Sequence, residues 1–252
     1  MKLPVYFISD NHFMMDFGSR EKSRRRLMFD LFKVIRSTGG TLIIGGDFFD
    51  FWFDYRHVVP KYYTDIICNL WLLSSTGIEI HILAGNHDYW DFGYLSDQTG
   101  CVFHADDFMF NLDDQAIIIT HGDGLLSWDR GYRLMKKIIR HRWCIALFRF
   151  LHADWGCSLA KFVSNTSNRY THANDEGHRI RSEITQYAKQ NWTDHYQVIL
   201  VGHYHQTGIQ DEGNSKLIWL GDWLQQFTVT IYDASGWHQT SWQEQIQNKK
   251  QE

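Results

Sequence analysis

No stretch of about 18 uncharged apolar residues occurs among the 252 residues of this chain, which excludes a transmembrane helix. Met1-Lys2 leads into only a short apolar run before Ser9-Asp10, too short for the apolar region and cleavage site of a secretory signal. The four cysteines, Cys68, Cys101, Cys144 and Cys157, include no C-x-x-C pair, so a disulfide framework or a paired-thiolate metal site is not expected. Internal repeats and low-complexity linkers are missing as well. A net charge of -4 gives no overall pull toward nucleic acid or anionic membrane, so any such attraction has to be local. From these absences a soluble protein of the cytoplasm is expected. Hydrophobic residues at 44% and aromatics at 16% supply enough apolar surface for one large folded unit.

What the chain does have is a recurring arrangement: an apolar run, a tight turn, then residues able to bind a metal. Val5-Tyr6-Phe7-Ile8 precedes Asp10-Asn11-His12, and Thr41-Leu42-Ile43-Ile44 precedes Gly45-Gly46-Asp47-Phe48-Phe49-Asp50. The run 78–83 precedes Gly85-Asn86-His87-Asp88, the run 116–120 precedes His121, and the run 198–201 precedes Gly202-His203-Tyr204-His205. Short, β-branched apolar runs of this length read as buried strands. Two further strands are expected near 217–220 and 227–232, and a polar, frayed tail from about Gln243. Helices are expected over 20–37, with Leu27, Leu31, Val34 and Ile35 on the core face and Arg24, Arg25 and Arg26 mostly elsewhere, and over 62–74. Strands alternating with helices give an α/β protein with a mixed sheet or two packed sheets.

Residues 125–185 differ from the rest. They hold no convincing strand, and between 125 and 181 eleven Lys and Arg face four acids, Asp129, Asp154, Asp175 and Glu176, among Ile, Leu, Phe and Trp. The segment reads as a helical insertion capping the site.

Taken singly, Asp10-Asn11-His12 reads as a turn and helix cap, Asn86 and Asp88 as turn residues, and each histidine as a satisfied surface group. Taken together, Asp10, His12, Asp47, Asn86, His121, His203 and His205 are the donor set for two ions sharing one carboxylate, and such mixed imidazole and carboxylate ligands suit Mn²⁺, Fe or Zn²⁺.

The five blocks, in this order, resemble the calcineurin-like metallophosphoesterases, and the resemblance covers nearly the whole chain. It implies a four-layer α-β-β-α sandwich as a single domain over 1–252, with the cap inserted at 125–185, and a dinuclear centre. Asp10, His12, Asp47 and His205 would hold one ion, and Asp47, Asn86, His121 and His203 the other. His87 would protonate the leaving group or steady the transition state, Asp50 would be the carboxylate that orients it, and Asn86 a donor to the reacting phosphoryl group. Three stretches (46–53, 121–132 and 220–223) further resemble the bacterial UDP-2,3-diacylglucosamine pyrophosphohydrolases of lipid A synthesis. That implies Mn²⁺-dependent cleavage of a glycolipid nucleotide to UMP and 2,3-diacylglucosamine 1-phosphate, on the inner face of the inner membrane. Asp129 and Tyr132 would then be substrate contacts, with Asn168 and Arg169 as further sugar or phosphate contacts. The chain departs from the best-known branch at His87, where that branch has Arg. An alternative is a phosphodiesterase or nuclease, with Trp143, Phe148 and Trp155 stacking bases; another is a scaffold without metals.

Overall fold

In the computed structural model, residues 1–159, 174–192 and 196–248 are described. Asn168 and Arg169 lie outside the described residues. Two sheets form. The six-stranded sheet has the order β11-β10-β1-β2-β3-β4, with β1 (Val5–Ile8), β2 (Thr41–Ile44), β3 (Glu79–Leu83), β4 (Val102–His104), β10 (Thr228–Asp233) and β11 (Gly236–Ser241). The five-stranded sheet has the order β5-β6-β7-β9-β8, with β5 (Phe108–Leu112), β6 (Gln115–Thr120), β7 (Val198–Val201), β8 (Thr207–Glu212) and β9 (Ser215–Leu220).

Side chains alternate across a strand, so strands buried on both faces must be apolar at every position. That is why β1, β2 and β7 are buried throughout. Val5, Phe7 and Ile43 of one sheet meet Ile117, Ile119, Val198 and Leu200 of the other in a core between the sheets. The opposite faces, Tyr6, Ile8, Leu42 and Ile44, pack under α1 (Ser19–Thr38) and α2 (Thr64–Ser75) through Met28, Leu31, Ile35, Ile66 and Leu70. Ile199, Val201, Leu217 and Trp219 pack under Ile184 and Ala188 of the helix Asn174–Asn191. Helix, sheet, sheet, helix is the resulting layer order. Each fully buried Leu, Ile or Phe contributes about 1.5–3 kcal/mol.

Three sequence expectations are corrected. Arg24 and Arg25 are buried in α1 beside Met28, at 4% and 3% exposure, where the amphipathic pattern put them toward solvent. The expected fray from Gln243 is instead a helix, Trp242–Asn248, whose Trp242 is buried. Four strands not read from the sequence, β4, β5, β8 and β11, are present. The described part of 125–185 is helical, with α4 (Arg130–Ile139) and α5 (Arg142–Arg149), and the Asn174–Asn191 helix runs through position 185 into the core layer.

Candidate metal centre

Strands β1, β2 and β3 run parallel, as do β6, β7 and β9, so their carboxyl ends gather the following loops at one rim. The loops leave the strands abruptly. Asp10, Asp47, His12, His203 and His205 all take positive φ, between 42° and 65°, in the left-handed region that non-glycine residues rarely adopt. Such strain persists only where surrounding bonds over-determine it. Here His12 N–H donates to the Asp47 carbonyl at 2.8 Å and Asp10 N–H to the Gly46 carbonyl at 3.1 Å. Two glycines leave room for the carboxylate and an imidazole: a β-carbon at Gly85 would run into the Asp47 carboxylate, and one at Gly46 into the His121 ring.

Ligand atoms collect in three overlapping groups: Asp10, His12 and His205; His12, Asp47 and His87; and Asp47, His121 and His203. Within each group they lie within 4.8 Å of one another. Asp47 Oδ2 is 3.6 Å from His12 Nε2 and 3.2 Å from His121 Nε2, so it stands between the two sides. His205 Nε2 is 3.6 Å from Asp10 Oδ1. Asn86 joins through Oδ1, 3.2 Å from His121 Nε2. All seven predicted ligand residues are therefore brought together.

The environment prepares them. His203 N–H donates to Asp10 Oδ2 at 2.9 Å, as does Ser9 Oγ at 2.7 Å. His121 Nδ1 faces the Gly45 carbonyl at 3.0 Å, which keeps the proton on Nδ1 and turns the Nε2 lone pair inward. His205 Nδ1 faces the Asp222 carboxylate at 3.6 Å. Asp222 also accepts the N–H groups of Leu224, Gln225 and Gln226 at 2.7–3.1 Å.

A cation fits this donor set. The Nε2 lone pair of His121, a carboxylate oxygen of Asp47 and the amide oxygen of Asn86 are three acceptors converging on one point, which calls for positive charge between them. Without an ion, the Asp47 carboxylate draws that charge onto His121 itself: burial alone would lower its pKa, but Asp47 outweighs it and drives the imidazole up to about 10, so Nε2 holds a proton that a cation would displace. Burial and the neighbouring His121 push His203 down to about 3. Burial likewise keeps His12 well below the usual histidine range despite Asp47.

His87 stands at this centre too, its ring 4.8 Å from that of His12 and edge-on to it. Its Nδ1 donates to the main-chain carbonyl of Asp50 at 2.7 Å, while the Asp50 carboxylate is 3.9 Å away. The sequence reading gave that orienting role to the carboxylate; the tight contact is made by the backbone. Burial lowers the His87 pKa, but Asp47 and Asp50 raise it above the ordinary value on balance. Of the residues read as substrate contacts, Asp129 caps α4, accepting the Tyr132 N–H at 3.3 Å. The Tyr132 hydroxyl donates to Asp123 at 3.0 Å, and its ring is 6.0 Å from that of His203.

Sequence reasoning missed Arg24. Its guanidinium donates to the carbonyls of Asn11, His12 (3.3 Å) and Trp223 (3.1 Å), fastening two of the loops that carry the site, and is held in turn by Glu21 at 2.6 Å. The only signal was its place one turn before Met28 on the core stripe. Asp88 does more than shape a turn: its buried carboxylate accepts from the Gly85 and Phe48 N–H groups, both at 2.7 Å, and so ties the Asn86 loop to the Asp47 loop.

A model of the calcineurin-like phosphoesterase family matches residues 3–239. A "UDP-2,3-diacylglucosamine hydrolase" of Porphyromonas gingivalis is 30% identical over 258 residues, covering 93% of this chain and 96% of that protein. One of Haemophilus influenzae (strain PittGG) is 26% identical over 240 residues, covering 92% and 95%. Among solved structures, an archaeal phosphodiesterase aligns over 94% of this chain and 98% of its own, at 13% identity and a TM-score of 0.48, too loose a likeness to add to the argument.

Proposed function

This chain belongs to the calcineurin-like phosphoesterase family, and from that premise we propose that it hydrolyses UDP-2,3-diacylglucosamine to UMP and 2,3-diacylglucosamine 1-phosphate, a step of lipid A synthesis. Relatives bearing the name of that hydrolase match it over nearly their whole length, which supports the substrate. The observation that carries the reaction class is the convergence of Asp10, His12, Asp47, Asn86, His121, His203 and His205 at one rim.

Asp47, between the two sides, would be the shared ligand; Asp10, His12 and His205 would complete one site, and Asn86, His121 and His203 the other. Donors of mixed imidazole and carboxylate character suit Mn²⁺, with Fe or Zn²⁺ as neighbours in preference. When bound, two such ions supply Lewis-acid neutralisation of phosphoryl oxygens and acidify water. The protein's own groups do the rest. The Gly45 carbonyl and Asp222 fix the proton-bearing nitrogens of His121 and His205. His87, held at Nδ1 by the Asp50 carbonyl, carries a proton on Nε2 when charged and would give it to the departing oxygen.

The cap supports a lipid-facing reading. Leu134, Ile138, Trp143, Leu147, Phe150 and Trp155 are 52–89% exposed, among Lys137, Arg142 and Arg149. Exposed apolar side chains interleaved with cations suit a peripheral seat on the cytoplasmic face of the inner membrane. Among the described residues no helix is long and apolar enough to cross a membrane. We place Asp129 and Tyr132 as the first substrate contacts beside the centre, and treat 1–252 as one domain with the cap inserted in it. Vesicle flotation tests the membrane seat: binding to anionic vesicles that is lost in Leu147→Ser/Phe150→Ser is expected, and indifference of that variant would contradict it.

A further inference from the structure

Asp123, two residues beyond His121, gathers cations from the cap. Its carboxylate oxygen Oδ2 accepts from Lys136 Nζ at 2.7 Å, from Tyr132 Oη at 3.0 Å and from Arg140 Nη2 at 3.3 Å, and its side chain is only 6% exposed. Lys136 Nζ also donates to the Asp123 carbonyl at 2.9 Å. Arg140 reaches further: the same Nη2 donates to the carbonyl of Gly85 at 3.1 Å, and the guanidinium lies over the Tyr89 ring, 4.0 Å from its centroid. Gly85 directly precedes Asn86. One carboxylate thus pins two cations, Lys136 of α4 and Arg140 at its C-terminal end, against the two loops that deliver Asn86 and His121.

Donors remain on both side chains. Two positive charges meet the Asp123 carboxylate, and Asp107 also acts on Lys136. Among the described residues, Arg140 Nε and Nη1 and the third ammonium proton of Lys136 have no acceptor. Both side chains stay reachable, at 18% and 26% exposure. A guanidinium fixed in plane by a ring and two acceptors, with its other edge free, is suited to the paired oxygens of a phosphate.

Building on the diphosphate substrate proposed above, we infer that Lys136 and Arg140 form the subsite for its second phosphoryl group, beside the centre that holds the first. These contacts turn Arg140 inward, whereas Arg142 is exposed. A substrate with one phosphoryl group leaves this subsite empty, so the pair discriminates diphosphates from simple phosphodiesters.

The test is isothermal titration of the Mn²⁺-loaded protein with α,β-methylene-UDP, which keeps two phosphoryl groups, and with UMP, which has one. The wild-type protein is expected to prefer the diphosphate analogue by about tenfold or more. Lys136→Met and Arg140→Gln should each cut that preference to within about threefold while leaving UMP affinity, metal content and melting temperature in place. Each variant keeps the other cation on Asp123, so the buried carboxylate stays paired. A preference retained in both variants, or equal loss for both nucleotides, overturns the subsite and leaves a structural clamp. Turnover of UDP-2,3-diacylglucosamine is measured alongside. Wild-type turnover with an unchanged preference in the variants overturns the subsite alone. A preference that depends on the pair, in a protein that does not turn over the lipid, keeps the subsite and overturns the lipid reading.

Discussion

Asp47 and Arg24 sit at opposite ends of what a sequence discloses about a single residue. Asp47 is legible through its company: a carboxylate after two glycines at a strand end is a weak signal alone, and four other strand ends give it weight. Its replacement by Ala is expected to abolish turnover and release bound metal, measured by metal analysis and steady-state rate; normal turnover with full metal would contradict a shared ligand. Arg24 was hidden because a charged residue on a helix is read as solvated, and only the three carbonyls it meets explain its burial. Arg24→Met would leave the buried Glu21 with Arg25 and the Met14 N–H as partners, and breaking such a pair costs about 3–5 kcal/mol. Denaturant titration showing a loss under about 1 kcal/mol would refute this account of Arg24. His87 lies between these cases. Its type was visible, but its partner, a main-chain carbonyl, was not, since backbone contacts leave no mark in composition. His87→Ala is expected to lower turnover about 10²–10⁴-fold with metal content preserved. Loss of metal would make it a ligand, as its place beside His12 and Asp47 also allows.

At the scale of elements, the strands that were legible and those that were not divide by position. β1, β2, β3, β6, β7, β9 and β10 lie inside their sheets and read as apolar runs. The four missed strands are the four edges: β11 and β4 of one sheet, β5 and β8 of the other. An edge strand pairs on one side only and needs no continuous apolar sequence, so Thr207–Glu212 and Gly236–Ser241 are polar enough to pass for loops. The edge at β4 carries its own titratable device. His104 Nε2 lies 2.9 Å from His81 Nδ1, and its ring stacks on Phe108. Burial first, and His81 second, lower the His104 pKa to about 4 from 6.5. The folded state therefore binds the proton less well than the unfolded chain. Its contribution to stability is complete above about pH 6.5 and is lost as pH falls toward 4. The melting temperature should drop between pH 7.5 and pH 5.5, and less steeply in His104→Gln; parallel profiles would contradict the assignment. The cap was legible in outline, as basic and apolar without strands. Which of its cations turn inward was not, because Lys136 and Arg140 are set apart from Lys137 and Arg142 only by the position of Asp123.

The whole molecule is two sheets whose parallel strands end at one rim, so five loops distant in sequence reach one point. That convergence is why the five blocks were individually ambiguous and jointly informative. The same geometry couples the centre to the fold: Asp10 and Asp47 face each other at the rim, and cations between them would offset their repulsion. Removing metal with a chelator is thus expected to lower the melting temperature, and Mn²⁺ to restore it; an unchanged transition would mean that the rim does not hold metal. The central claim is tested most directly by product analysis. Purified protein with Mn²⁺ and detergent-dispersed UDP-2,3-diacylglucosamine should release UMP and 2,3-diacylglucosamine 1-phosphate in equal amounts, in a chelator-sensitive way, with oxygen from ¹⁸O-water in the UMP. No UMP release, beside brisk hydrolysis of a simple phosphodiester, would contradict the lipid A assignment while leaving a metal-dependent phosphoesterase.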